Sequence, residues 1–191
     1  MSADLSRTLN ALGLLAVSAV LVFAFADQLI GGELPCPLCI LQRAGFVVAG
    51  AGLALNLRFG ARPSHYGVLI LGSAATAAVS MRQVLLHIVP GTGSYGASVL
   101  GMHFYTWAFV TAAAMIVGAA VMLMFDRQFA DGITRRPVTP LTGLAGIAFA
   151  VGAILALANG VSTALQCGVG LCPDNPTGYL LLPGSGDEAG G

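Results

Sequence analysis

The chain has 191 residues, of which 57% are hydrophobic and 8% are charged, and its mean hydropathy is +0.86. Soluble globular domains carry about 25% charged residues, so this composition excludes an ordinary soluble domain, and its hydrophobicity excludes a disordered chain. Eight basic residues, all arginine, balance eight acidic ones, which excludes a basic surface for nucleic acid. An integral membrane protein is the class that remains.

Five apolar stretches are long enough to cross a bilayer, which takes about 20 residues. In chain order they are approximately residues 9–30, 38–57, 66–89, 104–125 and 141–165. They are rich in glycine, alanine, serine and threonine, and small residues allow close contact between helices in lipid. The sequence therefore predicts an all-α membrane protein. We expect residues 1–191 to form a single membrane domain, an antiparallel bundle of five transmembrane helices.

Arginines in the connecting segments predict the orientation of the bundle. One set of connections contains Arg7, Arg58, Arg62, Arg127, Arg135 and Arg136. The other set, residues 31–37, 90–103 and the tail 166–191, contains neither arginine nor lysine. Positively charged connections stay in the cytoplasm. We therefore expect the amino terminus inside and the carboxyl terminus outside.

The end of the first apolar stretch resembles a signal-peptidase site, because Ala24-Phe25-Ala26 precedes Asp27. The stretch is longer than a typical signal-peptide core, and a single arginine precedes it. We therefore expect it to be retained as a transmembrane helix. Cleavage would still leave the chain from residue 31 onward on the outer side.

The four cysteines all fall at the outer ends of predicted helices. Cys36 and Cys39 form a C-x-x-C before the second helix, and Cys167 and Cys172 form a C-x4-C after the fifth. With the predicted orientation, all four face a non-cytoplasmic compartment. In a bacterium this is the oxidising periplasm, where disulfides persist.

Three interpretations of these cysteines are open. In the first, the cysteines form two structural disulfides, although such short loops add little stability. In the second, they bind zinc as two close pairs, although the usual C-x2-C spacing is not repeated. In the third, they form a redox relay, which needs no metal, and closely spaced pairs favour this interpretation.

The residues around the C-x-x-C favour thiol chemistry further. Pro37 follows Cys36 and leads directly into the second helix, so Cys39 lies near a helix amino terminus, where a thiolate is stabilised. Arg43 follows one turn later on the same face, and its guanidinium can donate to an electron-rich oxygen. Arg43 and Arg82 lie inside spans, where charged groups are functional candidates or snorkel to the headgroups. Asp27 is the nearest carboxylate partner in the sequence.

The octet Cys36-Pro-Leu-Cys39-Ile-Leu-Gln-Arg43 resembles the DsbB family, the disulfide bond formation proteins B of bacterial inner membranes. The inside amino terminus, the antiparallel bundle, a second outer cysteine pair and the segment Gly-Met-His-Phe-Tyr-Thr-Trp (residues 101–107) are also similar. The resemblance covers about residues 8–126, and more loosely residues 166–176.

This resemblance implies a quinone-dependent, disulfide-generating oxidoreductase in the bacterial inner membrane. A periplasmic thioredoxin-like dithiol oxidase of DsbA type would pass electrons to Cys167 and Cys172, and from there to the C-x-x-C. Cys36 would exchange with the second pair. Cys39 would contact a membrane quinone, ubiquinone or menaquinone, and Arg43 would polarise a quinone carbonyl.

The sequence departs from the family in the location of its second cysteine pair. The best-known members have four helices and carry this pair between the third and fourth. Here the segment near residues 90–100 has no cysteine. We therefore expect a DsbB-like four-helix core plus one extra helix, with the second pair in a periplasmic tail, 166–191. Gly168 and Gly170 predict a mobile loop between the two cysteines.

Other residues near the outer side receive weaker assignments. His87 is a candidate quinone ligand or, more simply, an interfacial histidine. Tyr105 and Trp107 are expected in the aromatic belt, and His103 has no assignment.

Two alternative functions stay open. One is a quinone-coupled thiol oxidase resembling vitamin K epoxide reductase, whose quinone-side C-x-x-C comes late in the bundle. The other is a membrane assembly factor that binds metal through the four cysteines.

Overall fold

The computed structural model describes residues 1–89, 91, 98–129 and 140–182. In this part of the chain, the long helices are α1 (Ala3–Ile30), α2 (Pro37–Phe59), α3 (Pro63–Leu86), α4 (Phe104–Leu123) and α5 (Gly143–Cys167). All five are long and apolar enough to cross a membrane. The prediction of an all-α membrane protein with five apolar helices is confirmed.

Short elements flank α4. A small antiparallel hairpin of β1 (Ser98–Val99) and β2 (Met102–His103) precedes it, with Ser98 paired to His103. A single turn of 3₁₀ helix, Asp126–Phe129, follows it. Arg135, Arg136 and the last part of the predicted tail, residues 183–191, lie outside the described residues.

Helix α1 begins at Ala3 rather than near residue 9. Ser2 caps it, because the Leu5 N–H donates to the Ser2 Oγ at 3.2 Å, and a capping hydroxyl satisfies an amide that the helix itself cannot. The polar residues Ser6 and Asn10 continue the helix because they are buried against other polar groups. At the other boundaries, α3 ends at Leu86 and α5 continues to Cys167.

Neutral polar side chains and the guanidinium of Arg7 hold one end of the bundle together. Asn10 of α1 donates to the Tyr66 hydroxyl of α3 at 2.9 Å and accepts from Asn56 of α2 at 2.9 Å. Arg7 donates to the Leu57 carbonyl at 3.0 Å and to the Pro140 carbonyl at 2.6 Å. The beginning of α1 therefore meets the end of α2 and the beginning of α5.

Helices α2 and α3 pack closely through glycine. A Cβ on Gly72 of α3 would lie 2.5 Å from the Ala49 nitrogen of α2, and one on Gly52 would lie 2.6 Å from the His65 carbonyl oxygen. These distances are too short for any side chain, so both glycines set the spacing of the two helices. This is the close approach that small residues permit in membranes.

We expect Gly72→Ala to lower the free energy of unfolding by about 1–3 kcal/mol, because a methyl group there forces two backbones apart. Gly67 is the matched control on the same helix, since an added Cβ there meets nothing within 4 Å. Thermal unfolding in detergent measures both variants. Equal stability of Gly72→Ala and Gly67→Ala would contradict this account of the α2–α3 contact.

Candidate functional site: two disulfides beside an apolar cavity

The C-x-x-C forms a disulfide at the amino terminus of α2. Cys36 is the N-cap residue and Pro37 follows in the first turn. This is a favoured proline position, because the missing N–H would have no helical partner there. The Cys39 N–H donates to the Cys36 Sγ at 3.2 Å, and the two Cα atoms are 5.0 Å apart. The predicted location of Cys39 at a helix amino terminus is found in the structure.

The second disulfide joins the last residue of α5, Cys167, to Cys172, with the Cα atoms 4.4 Å apart. Gly168 has a φ of +61°, a left-handed conformation that glycine adopts readily. It turns the chain out of the helix. Cys167 is buried, whereas Val169 and Leu171 between the two cysteines are fully exposed.

A hydrogen bond next to each pair brings the two disulfides to the same end of the bundle. Gln166 precedes Cys167, and its side-chain Nε2 donates to the carbonyl of Pro35, which precedes Cys36, at 2.7 Å. Gln166 is fully buried. The two cysteine pairs, far apart in the sequence, therefore lie on neighbouring segments of the fold.

Arg43 lies one turn beyond Cys39 and is half-buried. Its guanidinium donates to Gln28 Oε1 at 2.5 Å and to the Ala24 carbonyl at 2.8 Å, and it lies 5.5 Å from the centre of the Phe25 ring. A guanidinium has five N–H donors, so these two hydrogen bonds leave donors for a ligand oxygen. The side chain that accepts from Arg43 is the amide of Gln28, while the predicted carboxylate, Asp27, attracts the guanidinium electrostatically from the wall of the same cavity.

Gln28 is a site residue that the sequence reasoning missed. It is buried, and its Nε2 donates to the Ser162 hydroxyl at 2.9 Å and to the Tyr179 hydroxyl at 2.8 Å. Gln28 thus connects Arg43 on α2 to α5 and to the segment after the second disulfide. The only sequence signal was a polar residue at the end of an apolar helix.

Gln83 of α3 is a second residue that was missed. Its Nε2 lies 3.5 Å from the Cys36 Sγ and 3.7 Å from the Cys39 Sγ, and its Oε1 accepts from the Gln42 Nε2 at 2.7 Å. Both glutamines are buried. Two glutamines in apolar helices were visible in the sequence, but nothing there indicated that they meet at the disulfide.

An apolar cavity of about 400 Å³ opens beside the first disulfide, lined mainly by α1, α2 and α4. Cys39 and Arg43 lie in its wall, together with Gln42 and Gln83. Its aromatic lining consists of Phe23, Phe46, Phe104, Tyr105 and Trp107. Tyr105 is a buried wall residue of the cavity, and Trp107 also lines it. Their place in an aromatic belt stays a prediction.

The structure separates His87 and Arg82 from this cavity, since neither is among its lining residues. The His87 ring stacks on Tyr105 at 5.5 Å, and its Nδ1 hydrogen-bonds the Gln83 carbonyl at 2.8 Å. Arg82 is exposed, as a snorkelling side chain would be. The His103 ring also stacks on Tyr105, with ring centres 5.3 Å apart.

In residues 1–89, 91, 98–129 and 140–182, the cysteines are paired with one another. All four cysteines are in disulfides, and a coordinating cysteine must be a thiolate. Within the same ranges, no three histidine, cysteine or acidic side chains are grouped closely enough to hold a metal ion.

Comparison with known proteins identifies relatives for the first half of the chain. A family model described as Disulfide bond formation protein DsbB matches residues 6–95. The Disulfide bond formation protein B of Marinobacter nauticus is 38% identical over 91 residues, 44% of this chain and 53% of that protein. The proteins of the same name from Hahella chejuensis and Chromobacterium violaceum are 37% identical over 92 residues and 41% identical over 81 residues. They cover 44% and 39% of this chain, and 54% and 48% of their own lengths.

The chain thus spans about half the length of the curated relatives it matches. No solved structure matches it. The matched residues include α1, α2 and α3, and with them Gln28, the C-x-x-C, Arg43 and Gln83. The resemblance of this chain to the DsbB family is therefore confirmed over residues 6–95.

Proposed function

We propose that the protein is a thiol:quinone oxidoreductase of the bacterial inner membrane that supports disulfide bond formation. It reoxidises a periplasmic, thioredoxin-like dithiol protein of DsbA type and passes the electrons to a membrane quinone. The observation that carries this proposal is that Cys39 and Arg43 both line one apolar cavity. The relatives named Disulfide bond formation protein B support it.

We propose an inside amino terminus and an outside carboxyl terminus, so that both disulfides face the periplasm. Arg7, Arg58 and Arg62 belong to the end of the bundle opposite the disulfides, and the positive-inside rule assigns such an end to the cytoplasm. The four-helix core plus α5 forms one membrane domain of residues 1–191. Residues 166–191 form its periplasmic tail.

The first steps are thiol–disulfide exchanges at the second pair. A thiolate of the partner attacks the Cys167–Cys172 bond, and the partner's second thiol displaces the mixed disulfide. The partner leaves oxidised, and the two cysteines now carry two electrons as thiols. One of them, deprotonated, attacks the Cys36 Sγ. The Cys36–Cys39 bond breaks, and Cys39 leaves as a thiolate stabilised at the helix amino terminus.

The remaining thiol of the second pair then attacks the mixed disulfide. This restores the Cys167–Cys172 bond and releases Cys36 as a thiol, while the proton that Cys39 does not take goes to water. The hydrogen bond from Gln166 to the Pro35 carbonyl supports this exchange, because it keeps the two pairs on neighbouring segments. The two electrons are then held by Cys36 and Cys39.

The cavity fits a quinone ring, because it combines aromatic walls with a thiol and a guanidinium. When bound there, ubiquinone or menaquinone supplies a two-electron acceptor for the Cys39 thiolate. Arg43 would donate hydrogen bonds to a carbonyl oxygen of the quinone and stabilise negative charge there. Phe46, Phe104 and Trp107 would surround the ring and exclude water.

The two alternative functions, an enzyme resembling vitamin K epoxide reductase and a metal-binding assembly factor, explain fewer of these observations. The C-x-x-C lies at the beginning of the second helix and inside the region matched to the DsbB family, whereas an enzyme resembling vitamin K epoxide reductase would carry it late in the bundle. A four-cysteine metal site needs four thiolates, and the two disulfides occupy all four sulfurs.

The central test adds a reduced DsbA-type protein and a quinone to the purified protein and follows quinone reduction. We expect Cys39→Ala to abolish turnover, because the thiolate beside the cavity is lost. Arg43→Ala should raise the KM for quinone by at least about tenfold, since a charge-assisted hydrogen bond is removed. Arg82→Ala is the matched control and should behave as wild type. Full turnover in Cys39→Ala would refute the proposal.

A second test separates the two disulfides. In the double variant Cys167→Ala/Cys172→Ala, we expect electron transfer from the DsbA-type protein to be lost, because the partner has no exposed disulfide to attack. A small dithiol that reaches Cys36–Cys39 directly should still drive quinone reduction. If the partner protein drives the double variant at the wild-type rate, the relay through the second pair is wrong.

A third test concerns Gln28. Gln28→Ala removes the acceptor of the Arg43 guanidinium, so we expect the KM for quinone to rise by about tenfold, the effect of losing one hydrogen bond to a charged group. Ser162→Ala removes only a distal partner of Gln28 and should have a smaller effect. Quinone titrations of the purified variants measure both. An unchanged KM in Gln28→Ala would show that Arg43 does not depend on this contact.

A further inference from the structure

Gln83 is buried beside the redox disulfide without any role in the exchange steps above. Its side chain is 1% exposed. A primary amide in such a location is costly unless its polar atoms are satisfied. Its Nε2 is directed at both sulfurs of the C-x-x-C, at 3.5 Å and 3.7 Å. The sulfurs of the disulfide are thus the acceptors that the Gln83 Nε2 faces.

Contacts with α2 and α3 hold the Gln83 amide in this orientation. Its Oε1 accepts from the Gln42 Nε2 at 2.7 Å, so its NH₂ group must face the sulfurs. The backbone carbonyl of Gln42 accepts from the Thr76 hydroxyl at 3.3 Å, and the backbone carbonyl of Gln83 is bonded to His87. In this arrangement, Gln83 cannot turn its NH₂ group away from the sulfurs without losing its hydrogen bond from the Gln42 Nε2.

We propose that Gln83 is a positioning residue that stabilises the reduced C-x-x-C through N–H···S hydrogen bonds to Cys36 and Cys39, with Gln42 fixing the direction of its amide. This inference rests on the proposed function, since it assumes that Cys36–Cys39 cycles between disulfide and dithiol. It concerns a residue outside the C-x-x-C motif and outside α2.

The physical reason is the difference in charge between the two redox states. A disulfide sulfur is neutral and a weak acceptor, in keeping with the long N···S distances. Reduction by a dithiol adds two electrons, breaks the S–S bond and oxidises the dithiol to its own disulfide. The sulfurs then carry a thiol and a thiolate, and the second proton goes to water. An N–H donor binds a thiolate more strongly than a neutral sulfur, so Gln83 favours the reduced pair.

The test equilibrates the full-length protein in detergent with defined ratios of reduced and oxidised dithiothreitol and traps free thiols. The background is Cys167→Ala/Cys172→Ala, so that only Cys36 and Cys39 are counted. We expect Gln83→Met, which keeps the side-chain length but removes the N–H groups, to lower the equilibrium constant for reduction by about tenfold, as for one hydrogen bond to a charged group.

A second readout is specific for the thiolate. The rate at which the reduced pair reacts with iodoacetamide follows its thiolate fraction, and we expect its pH midpoint to rise in Gln83→Met. Ser80→Ala is the matched control, because Ser80 is buried on the same helix and its hydroxyl has no partner among the described residues. Ser80→Ala should leave both quantities unchanged.

Gln42→Met provides a test that does not touch the residue next to the sulfurs. It frees the Gln83 amide to rotate and should shift both quantities in the same direction by a smaller factor. If Gln83→Met does not fold, the equilibrium constant for reduction and the pH midpoint measured in Gln42→Met test the inference instead, and wild-type values of both would overturn it.

Wild-type values of both quantities in folded Gln83→Met would overturn the inference while leaving the proposed function intact. A wild-type Cys36–Cys39 pair that dithiothreitol cannot reduce would instead refute the proposed function itself.

Discussion

The structure depends on how one half-buried charge, the guanidinium of Arg43, is satisfied inside a helical bundle. A charge within a membrane span is costly unless it is paired or hydrogen-bonded. Here an amide, Gln28, a backbone carbonyl at Ala24 and the face of Phe25 surround it. None of these three groups neutralises the charge. The carboxylate of Asp27 is close enough to attract the guanidinium and also lines the adjoining cavity. Arg43 still has N–H groups that can donate to a polar oxygen in that cavity.

The same interaction connects the extra helix to the core. Gln28 accepts from Arg43 with one end of its amide and donates with the other to Ser162 of α5 and to Tyr179 beyond the second disulfide. Together with the bond from Gln166 to the Pro35 carbonyl, this fixes the end of α5 against the beginning of α2. A cysteine pair that follows a fifth helix thereby reaches the vicinity of the C-x-x-C, although the segment between α3 and α4 contains no cysteine.

The two ends of the bundle have different physical characters. One end is held by neutral groups such as Asn10, Asn56 and Tyr66, which satisfy one another. The other end holds both disulfides, Arg43 and the apolar cavity. Between them, Gly72 and Gly52 let α2 and α3 approach closely. This close approach is what brings Gln83 within reach of the sulfurs of Cys36 and Cys39.

The sequence by itself determined the features that depend on local pattern. Hydropathy indicated the five apolar helices, and Pro37 leading into the second helix indicated that Cys39 lies near a helix amino terminus. Helical periodicity indicated that Arg43 shares its face. Only the tertiary structure decided the contacts of these residues: Gln28 as the amide that accepts from Arg43, Gln83 at the disulfide, and Tyr105 in the cavity wall. The reason is that periodicity defines which face of a helix a side chain occupies. Which helix that face meets depends on the packing of residues that are far apart in the sequence.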